Sequence, residues 1–196
     1  MMDNEILQKL YNYIDEQQIT LRYIDNLKHN YNLCGMFACT ENDPVILIDK
    51  KLEKDTKKHI SILAEECGHY ATSYGNNINP INSENSRVLL EKCEQRADKW
   101  MCNFIIPDDT LKEKLLEFDS LFEVASDLCI SVDIVLNRLT YLSRQKRLYW
   151  LTDDILIDLT KLPNLYKIDI NDMLWICGGF YHDRKQEFKD CYIYKS

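Results

Sequence analysis

Several things this sequence lacks narrow its chemistry before any motif is considered. It has no excess of cationic residues: 24 Lys and Arg stand against 32 Asp and Glu, a formal net charge of −8. That balance argues against a broad nucleic-acid surface, because phosphate affinity comes mainly from Lys and Arg neutralising the backbone. An acidic chain needs a local basic patch to bind DNA. Its five glycines are too dispersed for a phosphate-cradling loop. No Cys-x-x-Cys occurs among its eight cysteines, so a thiolate zinc site has no support. The cysteines are scattered, and Cys67, Cys93 and Cys129 fall on expected buried helix faces, so they read as small core hydrophobes in a reducing cytoplasm. No basic segment followed by an apolar core opens the chain, and no run nears the ~18 apolar residues of a membrane span. Secretion and membrane insertion are not expected, and the expected location is cytoplasmic. There is no internal repeat or low-complexity tract.

What is present suits one well-buried domain with an appendage: 196 residues, 45% hydrophobic and 29% charged. Asp3 is positioned to cap a helix over 3–16 whose stripe is Ile6, Leu7, Leu10, Tyr11 and Ile14. Short apolar or alternating runs at 19–24, 33–39 and 44–49, separated by turn-type segments, predict three strands of a small sheet. Beyond Pro107 a short helix runs to about Glu117, Ser120 and Glu123 make a capping box for 121–129, and Ser131 caps 132–145. Near Lys146 the texture changes. Runs at 148–151, 155–159 and 191–194 read as strands, with Gly178-Gly179 at a turn, which divides the chain into 1–146 and a β-rich extension, 147–196, whose role the sequence does not reveal.

The chemistry is concentrated on two helices. Asp55 can cap the first, over about 55–74, with Ile60, Leu63, Ala64, Cys67 and Ala71 as its buried stripe. Glu65 and His69 are four apart and share a face, a spacing that lets two side chains converge on one ion. Glu66 is turned by about 100° around the helix and can reach a bound water. Two ligands and one base is the division of labour of His-Glu-x-x-His hydrolases, but here a glutamate stands where the first histidine belongs. A third ligand must come from elsewhere. Val88, Leu89, Cys93, Ala97, Trp100 and Met101 define a second helix on which Glu94 and Asp98 share a face, offering a ligand and, one turn on, a carboxylate behind it. His59 lies six residues before Glu65 and points away from the ligand face; His29 and His182 read as surface residues.

The order of strand 45–49, Ala64-Glu-Glu-Cys-Gly-His69, Glu94-Gln-Arg-Ala-Asp98-Lys-Trp100 and Ile105-Ile-Pro107 resembles the ImmA/IrrE metallopeptidases of bacterial mobile elements over roughly 1–145. The resemblance implies an α+β, zincin-like metallopeptidase domain in which a small three-stranded sheet carries the metal-site helices. Matched by position, His69 is the second motif histidine, Glu66 the catalytic glutamate and Glu94 the downstream ligand. Glu65 stands at the first histidine, and an Ala-Glu-Glu-x-Gly-His form resembles a variant within the family. The implied substrate is a helix-turn-helix repressor of a mobile element or prophage, making the protein an anti-repressor.

With His69, Glu94 and Glu65 as ligands, the shell is richer in oxygen than one with two histidines. It accommodates Zn2+, while Mn2+ or Fe2+ gains relative ground because carboxylates are harder ligands. Asp98 would ordinarily orient the first histidine by accepting its ring proton; with glutamate at 65, either the Glu65/Asp98 pair holds a proton or Asp98 turns to another donor. Tyr70 and Tyr74 are candidate donors to a developing oxyanion, with aromatic packing as their other role. Two alternatives to a peptidase stand. One is a protein that has lost turnover through the change at 65 and antagonises its partner by occupancy. The other is a DNA-binding regulator using 120–147, whose second helix would offer Asn137, Arg138 and Arg144 to a groove.

Overall fold

A computed structural model describes residues 4–40, 43–72 and 84–171. Its first helix, α1 (Glu5–Glu16), is capped by Asn4, whose side chain accepts the N–H groups of Ile6 and Leu7. The expected cap Asp3 lies outside the described residues, as do Tyr74, His182, the expected turn at Gly178-Gly179 and the expected strand 191–194.

The three expected strands form one sheet. β1 (Thr20–Ile24), β2 (Gly35–Thr40) and β3 (Asp43–Asp49) lie in the order β1-β3-β2, with β1 parallel and β2 antiparallel to β3. Ile46 and Ile48 of the central strand are fully buried. A short helix not expected from the sequence, α2 (Leu27–Tyr31), interrupts the first connection between Asn26 and Asn32. Both asparagines have φ of 58°, a left-handed conformation that asparagine tolerates better than most residues, so the helix is stopped at each end.

β3 leads through a 3-10 turn, Lys50–Lys54, into α3 (Thr56–Thr72), which lies on the sheet. Ile60, Leu63, Ala64 and Cys67 are fully buried beneath it. Each Leu or Ile so buried contributes about 1.5–3 kcal/mol, which fixes the rotation of α3 and hence the face that carries Glu65 and His69. α4 (Glu84–Ile105) packs against α3. Ala97, Met101 and Cys102 are buried on its inner face, but Val88 and Leu89 are 50% and 62% exposed and do not belong to the buried stripe the sequence pattern suggested.

Three further helices complete the core: α5 (Asp108–Glu117), α6 (Leu121–Asp127) and α7 (Val132–Ser143). α6 ends before Cys129, which sits half-buried at φ 54° in the link to α7 rather than on a buried helix face. A second antiparallel sheet follows, β4 (Leu148–Trp150), β5 (Ile155–Asp158) and β6 (Lys167–Asp169), the last of these unexpected. Tyr149, Leu151, Ile157 and Leu159 join the same hydrophobic core as the first sheet. The α+β class read from the sequence therefore holds.

Candidate metal centre

The site is built at the crossing of α3 and α4. Gly68 makes that crossing close: a Cβ there would stand 2.5 Å from the backbone oxygen of Ala97. The glycine lies between Glu65 and His69, and Ala97 between Glu94 and Asp98, so the backbone contact brings the two carboxylate-bearing faces together. One ligand atom from each of Glu65, His69 and Glu94 lies within 4.8 Å of the others. His69 Nε2 and Glu94 Oε2 are 3.4 Å apart. Metal bonds of about 2.0–2.1 Å in a tetrahedron leave neighbouring donors roughly 3.4 Å apart, so this pair already has the spacing of two ligands on one ion.

The electrostatics agree with that fit. Glu65 is half-buried and its pKa is raised, chiefly by desolvation and further by Glu94 and Asp98, with His69 acting in the other direction. Glu66 is buried, and desolvation, then the charge of Glu65, pushes its carboxyl up to about 8. Negative charges that disfavour the ionisation of Glu65 and Glu66 beside a single imidazole make a donor set that a divalent cation would neutralise, reversing the local pKa logic.

Glu66 points to a different neighbour. The backbone N–H of Phe37 on β2 donates to it and counteracts the upward shift. Its Oε1 lies so near Gly35 that a Cβ at that position would stand 2.8 Å away. Among the described residues β2 pairs with β3 alone, on one side, and the N–H given to Glu66 projects from the other edge. The candidate base therefore sits between the Glu65–His69 face of α3 and β2. Nothing in the sequence pattern singled out Gly35 or Phe37; the only available signal was the glycine inside an apolar strand, which often marks close approach of another group.

Asp98 has found donors other than residue 65. Tyr141 gives it a hydrogen bond at 2.5 Å and Asn137 Nδ2 another at 3.3 Å, both from α7. Burial and the Asp98 bond together raise the Tyr141 pKa, so its proton stays on the phenol. Tyr141 was missed in the sequence, though Asn137 and Tyr141 stand four apart and therefore share a helical face, as Glu94 and Asp98 do. A cavity of about 290 Å³, bordered by Glu65, Glu94, Asp98, Met101 and Tyr141, opens beside these groups.

The remaining candidates lie elsewhere. Tyr70 donates to Gln17 Oε1 at 3.4 Å and packs edge-on against Phe37 and Tyr13. His59 is buried against Tyr23, whose hydroxyl lies 3.0 Å from its Nε2, away from the cluster. Of the residues once offered to a DNA groove, Asn137 faces Asp98. Arg138 is buried, donating to the Ile106 carbonyl at 3.1 Å and pairing with Asp108 at 3.4 Å, and Arg144 lies over the Tyr141 ring.

Comparison with known families places this geometry. The model of the IrrE N-terminal-like domain of peptidase family M78 matches residues 12–140. The chain belongs to the IrrE-like M78 metallopeptidase family. No curated protein and no solved structure matches it. The M78 match begins within α1 and ends within α7, so the first sheet, both helices of the Glu65–His69–Glu94 cluster and the Asn137 donor to Asp98 fall inside it, while Tyr141 and the second sheet follow it. Among the described residues, no helix is long and apolar enough to cross a membrane.

Proposed function

We propose that this M78 protein is a metal-dependent endopeptidase that cleaves a helix-turn-helix repressor of a mobile genetic element. The observation that carries the reading is the convergence of Glu65, His69 and Glu94 within 4.8 Å across the Gly68–Ala97 contact. These three residues would hold the ion, zinc by preference, with manganese or iron favoured more than at a site with two histidines. Bound there, such an ion supplies Lewis-acid polarisation of a water and of the scissile carbonyl.

The chain's own groups supply the rest. Glu66, held against β2 by the Phe37 N–H, accepts the proton of the attacking water and passes it to the leaving amine. The edge of β2 that is unpaired among the described residues lies beside that carboxylate and offers main-chain groups to an extended peptide. Asp98, fixed by Tyr141 and Asn137, stands behind the ligands and limits the movement of the Glu65–Glu94 face. Tyr70 supports the site by packing, since its hydroxyl is engaged with Gln17; an oxyanion role for Tyr74 stays a proposal from the sequence. The repressor as substrate rests on the family resemblance. We keep 147–196 as an extension to the peptidase domain and the cytoplasm as its location.

A second reading is favoured by one specific observation, the glutamate at 65. An M78 fold that binds its repressor without cutting it would relieve repression by occupancy. Incubating the zinc-loaded chain with the cognate repressor separates the two: the peptidase reading expects shorter repressor fragments that a chelator suppresses. An intact repressor held in a stable complex, with or without chelator, supports occupancy instead.

A further inference from the structure

A second cavity, of about 340 Å³, lies at the opposite end of α3 from the ligand pair. Lys58 and Glu65 are seven residues apart, about 10 Å along the helix axis. The cavity's charge runs against that of the molecule. In a chain of net charge −8, the segment 50–58 carries Lys50, Lys51, Lys54, Lys57 and Lys58 against only Glu53 and Asp55. Three lysines line the cavity from three separate backbone segments: Lys28 on α2, Lys51 on the 3-10 turn and Lys58 on α3, with His29 beside them. Lys51 and Lys58 come from that run, and the fold brings Lys28 to them from α2.

The two carboxylates in the lining are committed to main-chain groups. Asp49 is 2% exposed and accepts the N–H of Lys28 at 2.7 Å and that of Lys51 at 2.9 Å. These two bonds hold its pKa below the usual carboxylate range. Asp55 accepts the N–H of Lys58 at 3.2 Å. Each carboxylate thus fastens the backbone beneath a lysine. Among the described residues, none of these three ammonium groups has a carboxylate ion-pair partner, whereas neighbouring Lys50 pairs with Asp25 at 3.9 Å.

We propose that this hollow binds a small phosphate-bearing anion, at a site separate from the metal centre. Its volume is within the range of small-molecule pockets, about 300–1,000 Å³. Lysine ammoniums bind phosphate as point charges, and fastening their backbone segments beforehand lowers the ordering cost of binding. A concave site fed by three segments fits a compact anion better than a polymer, which needs cations spread along a groove.

Calorimetric titration of the full chain with inorganic pyrophosphate tests this. Saturable binding at one site is expected. Lys28→Gln/Lys51→Gln/Lys58→Gln should weaken it about tenfold or more, and the charge-matched Lys50→Gln/Lys54→Gln/Lys57→Gln should change it less than about threefold. All six lysines are exposed, so both triple variants should fold. His69→Ala should retain the binding. Equal weakening by the two lysine sets would assign it to diffuse surface charge and overturn the proposal. So would loss in His69→Ala alone, which would move the anion to the metal centre, or binding of oligoglutamate or single-stranded DNA with no pyrophosphate response.

Discussion

Replacing Gly68 by alanine gives the sharpest mechanical test of how the centre is assembled, because two effects of known size oppose each other. Alanine is the better helix former by about 1 kcal/mol, so propensity alone would make Gly68→Ala stabilising. Packing acts the other way. The new methyl would stand 2.5 Å from the Ala97 oxygen, about 0.9 Å inside ordinary van der Waals contact at 3.4 Å. The obstacle is helix backbone and cannot rotate away, so α3 and α4 must separate. Overpacking of this kind costs about 1–3 kcal/mol, and with hardly any room to yield here we expect the upper part of that range. The net expectation is a loss of about 1–2 kcal/mol. The same separation carries Glu94 away from His69, beyond the 3.4 Å that suits a shared ion. Urea unfolding of chelated protein would read the stability, and a competition titration with a zinc indicator the affinity, which should fall at least about tenfold. A variant that is about 1 kcal/mol more stable than wild type and binds zinc equally well would refute the reasoning, since propensity would then be acting unopposed.

Other consequences follow from single contacts. His69→Ala and Glu94→Ala should each lower bound metal sharply, by elemental analysis, while circular dichroism remains that of a folded protein; equal metal content in all three proteins would remove the centre. Tyr141→Phe deletes the 2.5 Å donor to Asp98 and should weaken zinc binding by about 10–100-fold, read by the same competition titration. Burial lowers the pKa of His59 below its ordinary 6.5, so the unfolded chain binds that proton first as the solution is acidified. Its contribution to stability is complete above about pH 6.5 and is lost as pH falls through the lower folded value. The unfolding midpoint of His59→Gln should therefore decline less than wild type between pH 7 and 5, and parallel declines would contradict that sign.

Much of the candidate site's geometry was legible because it is written in helical spacing. Glu65 and His69, like Glu94 and Asp98, needed only the 3.6-residue period to be placed on common faces, and three strands could be read from apolar runs and their turn-rich borders. What escaped is what depends on contact between elements distant in sequence. Tyr141 and Asn137 reach Asp98 from 43 and 39 residues away, and no local pattern announces such a pair. Arg138 looked like a solvent-facing groove residue until the Ile106 carbonyl and Asp108 were seen to enclose it. Val88 and Leu89 had the right spacing for a core stripe, yet they precede the stretch of α4 that packs inward. β6 was missed because three half-buried residues give too short a run to register as a strand. Gly68 could be noticed as an unusual helix residue, but its reason, the Ala97 backbone, belongs to another helix.

The central claim is turnover by Glu66, and Glu66→Gln tests it most directly. The amide retains an oxygen for the Phe37 N–H, so the variant should keep its fold and its metal while losing the group that accepts the proton. Repressor length and output from the repressed promoter should be followed together in cells making wild type or Glu66→Gln. Wild type should shorten the repressor and raise the output, and the variant should leave both unchanged, with in vitro cleavage reduced by at least about 10²–10⁴-fold. Full derepression by Glu66→Gln with the repressor intact would contradict the peptidase account and leave binding as the means of action.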